Sequence, residues 1–149
     1  MHIQLAIIYQ ESHFSSNAKP PRNKILGVIP GLRSSSSYGF TQAKKETWEW
    51  YQLKTGNNLA SRSNFADSVD FVGWYVNQSE KRSKISKTDT YNQYLAYHEG
   101  QNGFNKKTYQ KKPWLIEIAK KVENKSNNYK RQLSQCKAQL DSNRVWSFF

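Results

Sequence analysis

One cysteine, Cys136, serves the whole chain of 149 residues, so no internal disulfide can staple the fold and the disulfide-rich secreted class is excluded. Three histidines, His2, His13 and His98, sit in unrelated contexts. With a single thiol beside them they offer no ligand spacing for a structural zinc, and no metal is expected. No apolar run approaches the roughly 18 residues of a membrane span, and any targeting segment is expected outside this chain, which opens directly on the apolar stretch at Ile3. Acidic residues are scarce, 11 against 23 Lys and Arg, which leaves a formal charge of +12. That balance favours a polyanionic partner through counterion release and long-range attraction. Nucleic acid, anionic lipid headgroups and a carboxylate-bearing polymer all satisfy it, and charge does not rank them.

Aromatics are plentiful on a chain only 36% hydrophobic: 14% of residues, five of them Trp and nine Tyr. Such a surplus fills a core and can also supply faces that stack on flat ligands, sugar rings or bases. The length fits one domain with a real core, and no internal repeat is present.

The apolar periodicity is helical throughout. Ile3, Ile7, Ile8, Glu11 and Phe14 fall three and four apart, predicting a helix over 3–13 that carries Glu11 on its inward face. Pro20 and Pro21 forbid its return. Residues 18–38 read as a long connection with a Pro30-Gly31 turn and the serine run 34–37, a length that points to a functional loop. A second helix is expected over about 42–54, with Ala43, Thr47, Trp50 and Tyr51 inward and its end at Gly56. Asn64 reads as the N-cap of a third, whose stripe is Phe65, Val69, Val72 and Val76. Residues 81–87 read as a solvated basic linker. Thr88 is expected to cap a fourth helix striped by Tyr91, Tyr94, Leu95 and His98 and closed by Gly100. Pro113 suits the first turn of a last helix anchored by Leu115, Ile118, Ala119 and Val122. Its continuation keeps a heptad-like seam of Tyr129, Leu133, Cys136 and Leu140. The expected organisation is a domain over 1–122 and a basic helical tail over 123–149.

Glu11 is the residue that bears chemistry. A carboxyl on the apolar side of a helix is costly to ionise, so it is expected to hold its proton to higher pH, the state required of a general acid at a leaving oxygen. It lies in Ile7-Ile8-Tyr9-Gln10-Glu11-Ser12-His13-Phe14. Two further segments follow in order: Ser37-Tyr38-Gly39-Phe40-Thr41-Gln42-Ala43 and Ala96-Tyr97-His98-Glu99-Gly100. No Asp or Glu lies between Glu11 and Glu46, so no nearby second carboxylate is evident. Glu99 reads as a solvated residue near a helix end.

Together these three segments resemble the lysozyme-like domain of the soluble lytic transglycosylases, relatives of the goose-type lysozymes. In that family an early helix ends in Glu-Ser, as Glu11-Ser12 does. A Gly-Leu-Met-Gln motif follows, and Gly39-Phe40-Thr41-Gln42 keeps its Gly and Gln while replacing the middle pair. Ala-Tyr-Asn comes third; Ala96-Tyr97-His98 carries His in place of Asn. The resemblance covers about residues 3–122. It implies an all-α, lysozyme-like fold with a substrate cleft between the Glu11 helix and the 18–41 lobe, followed by an extended C-terminal helix. It implies cleavage of the MurNAc–GlcNAc β-1,4 bond of peptidoglycan without cofactor, leaving a 1,6-anhydro sugar. Glu11 would be the single acid/base, a simpler arrangement than the usual pair of carboxyls. The substrate-binding set would be Ser12, Tyr38, Gly39, Gln42, Tyr97 and His98. Glycan strands would be the partner, with no nucleic acid, and the tail would contact another protein or the envelope. The implied setting is periplasmic, outer-membrane-associated or phage-borne, with any targeting segment outside this chain. The rival readings are a hydrolytic muramidase of the same fold, a non-catalytic wall-binding module and, from charge alone, a nucleic-acid-binding protein.

Overall fold

A computed structural model places the first helix, α1, at His2–Ser12, with Ile3, Ala6, Ile7 and Ile8 buried as their spacing requires. The structure describes residues 1–20, 22–25, 29–33 and 35–146, and side chains over 1–20 and 35–139. Glu11, in the last turn, is half-buried. Phe14 departs from the expected face. The backbone leaves the helix through His13 and Phe14, both at positive φ (50° and 63°), and the Phe14 ring ends up 38% exposed.

The architecture is all-α, built on α1 and four further helices: α2 Lys45–Thr55, α3 Phe65–Ser83, α4 Thr90–Asn105 and α5 Pro113–Trp146, with a 3-10 turn at Thr108–Lys111 before the last. The one sheet among the described residues is an antiparallel ribbon of β1 (Arg22–Ile25) and β2 (Ile29–Arg33). Ile25 pairs with Ile29 and Lys24 with Pro30, so Pro30 and Gly31 lie in a strand and are not the turn expected there. A two-stranded ribbon is all edge, and an edge tolerates the missing proline N–H. Most of the lobe expected at 18–41, with the cleft expected beside it, falls outside the residues whose side chains are described.

By contacts the chain divides into two compact units, Ile7–Gln78 and Met1–Ala6 with Ser79–Phe149. The first is cored by aromatics: Trp48, Tyr51, Phe71 and Tyr75 are buried. Helix α2 begins three residues later than expected, and Trp48 rather than Trp50 faces inward. Its first N–H, on Lys45, donates to Ser36 Oγ (3.1 Å), so Ser36 caps the helix from a distance in sequence. Gly56 ends α2 in the left-handed region (φ 73°), where glycine carries no steric cost. Asn64 caps α3 as expected, its Oδ1 accepting from Asp67 N–H (3.1 Å).

In the second unit α3 runs on to Ser83 and Ile85 is buried, so residues 81–87 are half helix and half core anchor, not a free linker. Asp89, not Thr88, caps α4: its carboxylate accepts from Asn92 N–H (3.0 Å). Gly100 breaks α4 at φ 73°, and a short helical segment resumes beyond it. Leu115, Ala119 and Val122 bury the start of α5, and Ser126 is buried against Thr90 (3.1 Å between hydroxyl oxygens). From Lys130 to Gln139 every side chain of α5 is exposed, including the seam residues Leu133 and Cys136; the Leu140 side chain lies outside the described residues.

Candidate active site

The segment that follows Glu11 is tied to the second motif by one carbonyl. Ala18 C=O accepts from Gly39 N–H (2.9 Å) and from Gln42 Nε2 (2.9 Å). Gln42 Nε2 also donates to Gly39 C=O (2.9 Å), so both of its amide protons hold the loop. A bridge between Tyr38 and Ala43 closes the 38–43 turn. Gln42 itself sits at φ 50°, in the turn rather than in the helix that was expected to start there.

Gly39 is glycine for a nearby reason. Its φ is 73°, and a Cβ there would overlap the Arg62 carbonyl. The close approach this glycine permits is therefore to the Arg62 backbone. Phe40 N–H donates to that same carbonyl (3.1 Å), while the Arg62 guanidinium donates to Ser36 C=O (2.8 Å) and Ala43 C=O (2.9 Å). Arg62, which no sequence pattern singled out, thus clamps the motif from both ends. Its guanidinium carbon and the Lys19 ammonium also lie 5.4 and 5.5 Å from the Tyr38 ring centre, cation–π distances. Beside Tyr38 opens a shallow cavity of about 340 Å³, with Trp48, Gln52 and Arg62 in its wall.

Ser12 is buried, and its hydroxyl donates to Ile8 C=O (3.1 Å), a bond back to its own helix. Around the exit of α1 the aromatic rings run edge to face: Tyr9 to Phe14 (5.8 Å), Phe14 to Phe65 (6.1 Å) and Phe65 to Phe40 (5.4 Å). The remaining carboxylates of this unit have visible structural duties. Glu46 accepts from Ser36, Glu49 pairs with Lys45 on the surface, Asp67 accepts from Ser61 N–H (2.8 Å) and Asp70 accepts from Tyr51 Oη (2.6 Å). Among the described residues Glu11 and Asp67 are the half-buried carboxylates of this unit.

Tyr97 and His98 belong to the other unit; Tyr97 is half-buried and His98 lies on the surface. Their neighbour Glu99 corrects the sequence reading. Instead of being solvated, its side chain is 4% exposed. Oε1 takes the Lys112 ammonium at 2.7 Å and His98 Nδ1 at 3.0 Å, and Thr108 Oγ1 donates to Oε2. Burial by itself would raise this carboxyl, but the bonds from Lys112, Thr108 and His98 outweigh it and hold it at about 2. Gly103 makes the room, since a Cβ there would stand 3.1 Å from both Glu99 Cβ and Thr108 Oγ1. Sequence spacing could not reveal this cluster, because the Gly100 break redirects the chain before Thr108 and Lys112 arrive. Among the described residues no group of His, Cys, Asp and Glu could hold a metal ion.

A family model described as "Transglycosylase SLT domain" matches residues 1–136. No curated protein and no solved structure gave a significant match.

Proposed function

Since the chain belongs to the transglycosylase SLT domain family over residues 1–136, its setting is peptidoglycan, and we propose that it cleaves the MurNAc–GlcNAc β-1,4 bond non-hydrolytically with Glu11 as sole acid and base. The observation that carries this reading is the position of Glu11. It is a half-buried carboxyl in the last turn of α1, and the segment that follows it is hydrogen-bonded through Ala18 to the 39–42 turn. In the first half of the reaction Glu11 gives its proton to the departing glycosidic oxygen as the C1–O bond breaks. The carboxylate so formed then takes the proton of the MurNAc C6 hydroxyl while that oxygen bonds to C1. No water is consumed, Glu11 ends protonated as it began, and one carboxyl does the work that two share in most glycosidases.

The other assignments divide. Tyr38, flanked by two cations beside an open cavity, is suited to a glycan or to a stem-peptide carboxylate. Tyr97 and His98 are read as ligand contacts on the second unit. Gly39 and Gln42 hold the 38–43 turn and act through its shape, and Ser12 secures the end of α1. That Gln42 and Ser12 are occupied by the fold is also what favours the second reading, a wall-binding module without catalysis. The envelope location and a contact made by the exposed tail of α5 belong to the proposal; no described helix is long and apolar enough to cross a membrane.

The test is digestion of peptidoglycan sacculi by the wild type and by Glu11→Gln, with released muropeptides read by mass spectrometry. The expected outcome is anhydro-muropeptides from the wild type and a loss of at least about a hundredfold in the variant, the lower end of what a positioned general acid contributes. Reducing-end products would establish a hydrolase instead. Binding to sacculi without release would leave the binding module.

A further inference from the structure

We propose that Trp114 and His98 form a carbohydrate subsite on the second unit, shaped for an N-acetylhexosamine ring, with Glu99 as the positioning residue that fixes the imidazole. The ligand class rests on the peptidoglycan reading above; the geometry stands without it.

Trp114, in the first turn of α5, leaves its indole 53% exposed. The His98 ring stands nearly perpendicular to it, 78° between planes and 5.3 Å between centroids. An exposed indole face beside a polar edge is the pairing a pyranose requires, because the sugar has an apolar C–H face and polar substituents around its rim.

The imidazole presents a defined edge. Nδ1 bonds to Glu99 Oε1 at 3.0 Å, and Nε2 has no hydrogen-bond partner among the described residues, on a side chain 34% exposed. An ionised carboxylate only accepts, so Nδ1 carries the proton and, in the neutral ring, Nε2 carries the lone pair. The Lys112 ammonium bonds the same Glu99 oxygen at 2.7 Å and holds that carboxylate in place. Nε2 is then an outward acceptor for the N–H of an acetamido group or for a sugar hydroxyl. Burying a carboxylate is costly unless it is fully bonded, and here that buried, three-bonded group is aimed at a surface imidazole next to a surface indole.

The test uses the full chain labelled with 15N-histidine, titrated with chitotetraose at about pH 8. The wild type should show His98 as the Nδ1–H tautomer in long-range proton–nitrogen spectra, and its Nε2 resonance should move on saturation. Trp114→Ala and His98→Ala, both at surface positions, should each weaken binding at least tenfold while keeping the wild-type circular dichroism. Glu99→Ala should release the tautomer preference, and Glu99→Gln, which retains an acceptor oxygen, should restore it. An Nε2–H tautomer in the wild type overturns the proposal, as does chitotetraose binding that ignores Trp114→Ala, or none at millimolar sugar. Sacculus digestion separates this from the catalytic reading. Release of anhydro-muropeptides without a Trp114-dependent sugar site removes the subsite alone; a Trp114-dependent site on a protein that releases nothing removes the catalysis alone.

Discussion

The two units hold their interiors together by opposite means. In Ile7–Gln78 the core is aromatic: Phe71 stands 4.9 Å from Trp48 and 5.4 Å from Tyr51, and Tyr51 is 5.4 Å from Trp74, ring centre to ring centre. The Tyr51 hydroxyl, at the edge of those rings, donates outward to Asp70. Around Glu99 the second unit does the reverse and draws a charge inward, satisfying it with an ammonium, a hydroxyl and an imidazole. An aromatic core is stabilised by area and shape, with no direction required. A buried carboxylate is tolerated only through directed bonds, so it fixes the orientation of whatever makes them. The difference teaches where specificity is to be sought. Rings in the first unit shape a scaffold, while the ion cluster in the second holds a surface imidazole by a directed bond.

The contrast breaks most severely on the aromatic side. Phe71→Ala should cost about 4 kcal/mol, through lost burial and the cavity left among rings that cannot collapse into it, measured by urea unfolding of the whole chain. On the ionic side, Lys112→Met should cost about 2 kcal/mol, less than the full penalty of an orphaned buried charge because Lys112 is itself part-exposed and water can reach the vacated oxygen. Acid sharpens the same point. Folding favours the ionised Glu99, which titrates at about 2 in the native state against an ordinary 4.5, so its stabilisation is whole above pH 4.5 and is lost as pH falls towards 2. Lys112→Met should shrink that acid limb. The smallest effect belongs to Tyr51→Phe, about 1 kcal/mol at neutral pH for one hydrogen bond to a carboxylate at the edge of the core. Burial, the Asp70 bond and the Asp70 charge push the Tyr51 phenol up to about 12 despite a bond from Asn57. Folding favours the neutral phenol, so that contribution is whole below pH 10 and lost as pH rises towards 12. Equilibrium unfolding at pH 9 and 11.5 should show the loss in the wild type and little of it in Tyr51→Phe.

How much of this was legible depended on range. The α1 positions Ile3, Ile7 and Ile8, the Asn64 cap, the Gly56 stop and Pro113 at the head of α5 were readable, because each is decided within one helical turn; Gly100, expected to close α4, instead kinks it, and a helical segment resumes beyond. The start of α2 was misplaced because its cap, Ser36, lies nine residues upstream and reaches back through a loop. Trp48 and Trp50 are two apart on one helix, and only the Phe71 ring, arriving from α3, decides which of them faces inward. At the candidate site, Glu11 was singled out from its helix face and its Glu-Ser context, and the structure half-buries it in the last turn of α1. The partners of Gly39 and Gln42 could not, since Ala18 and Arg62 stand some twenty residues away on either side.

The sequence by itself determined an all-helical chain, the placing of Glu11 on an inward face and the family motifs in their order. These follow from short-range sterics and from the 3.6-residue period, which local residues impose whatever surrounds them. Only the tertiary structure decided that Gly39 and Gln42 support a turn, that Arg62 clamps it, and that Glu99 is buried to orient His98 beside Trp114. Each of those depends on groups brought together across a loop or a broken helix, and the energy of a buried polar atom is set by which partners reach it rather than by its neighbours along the chain.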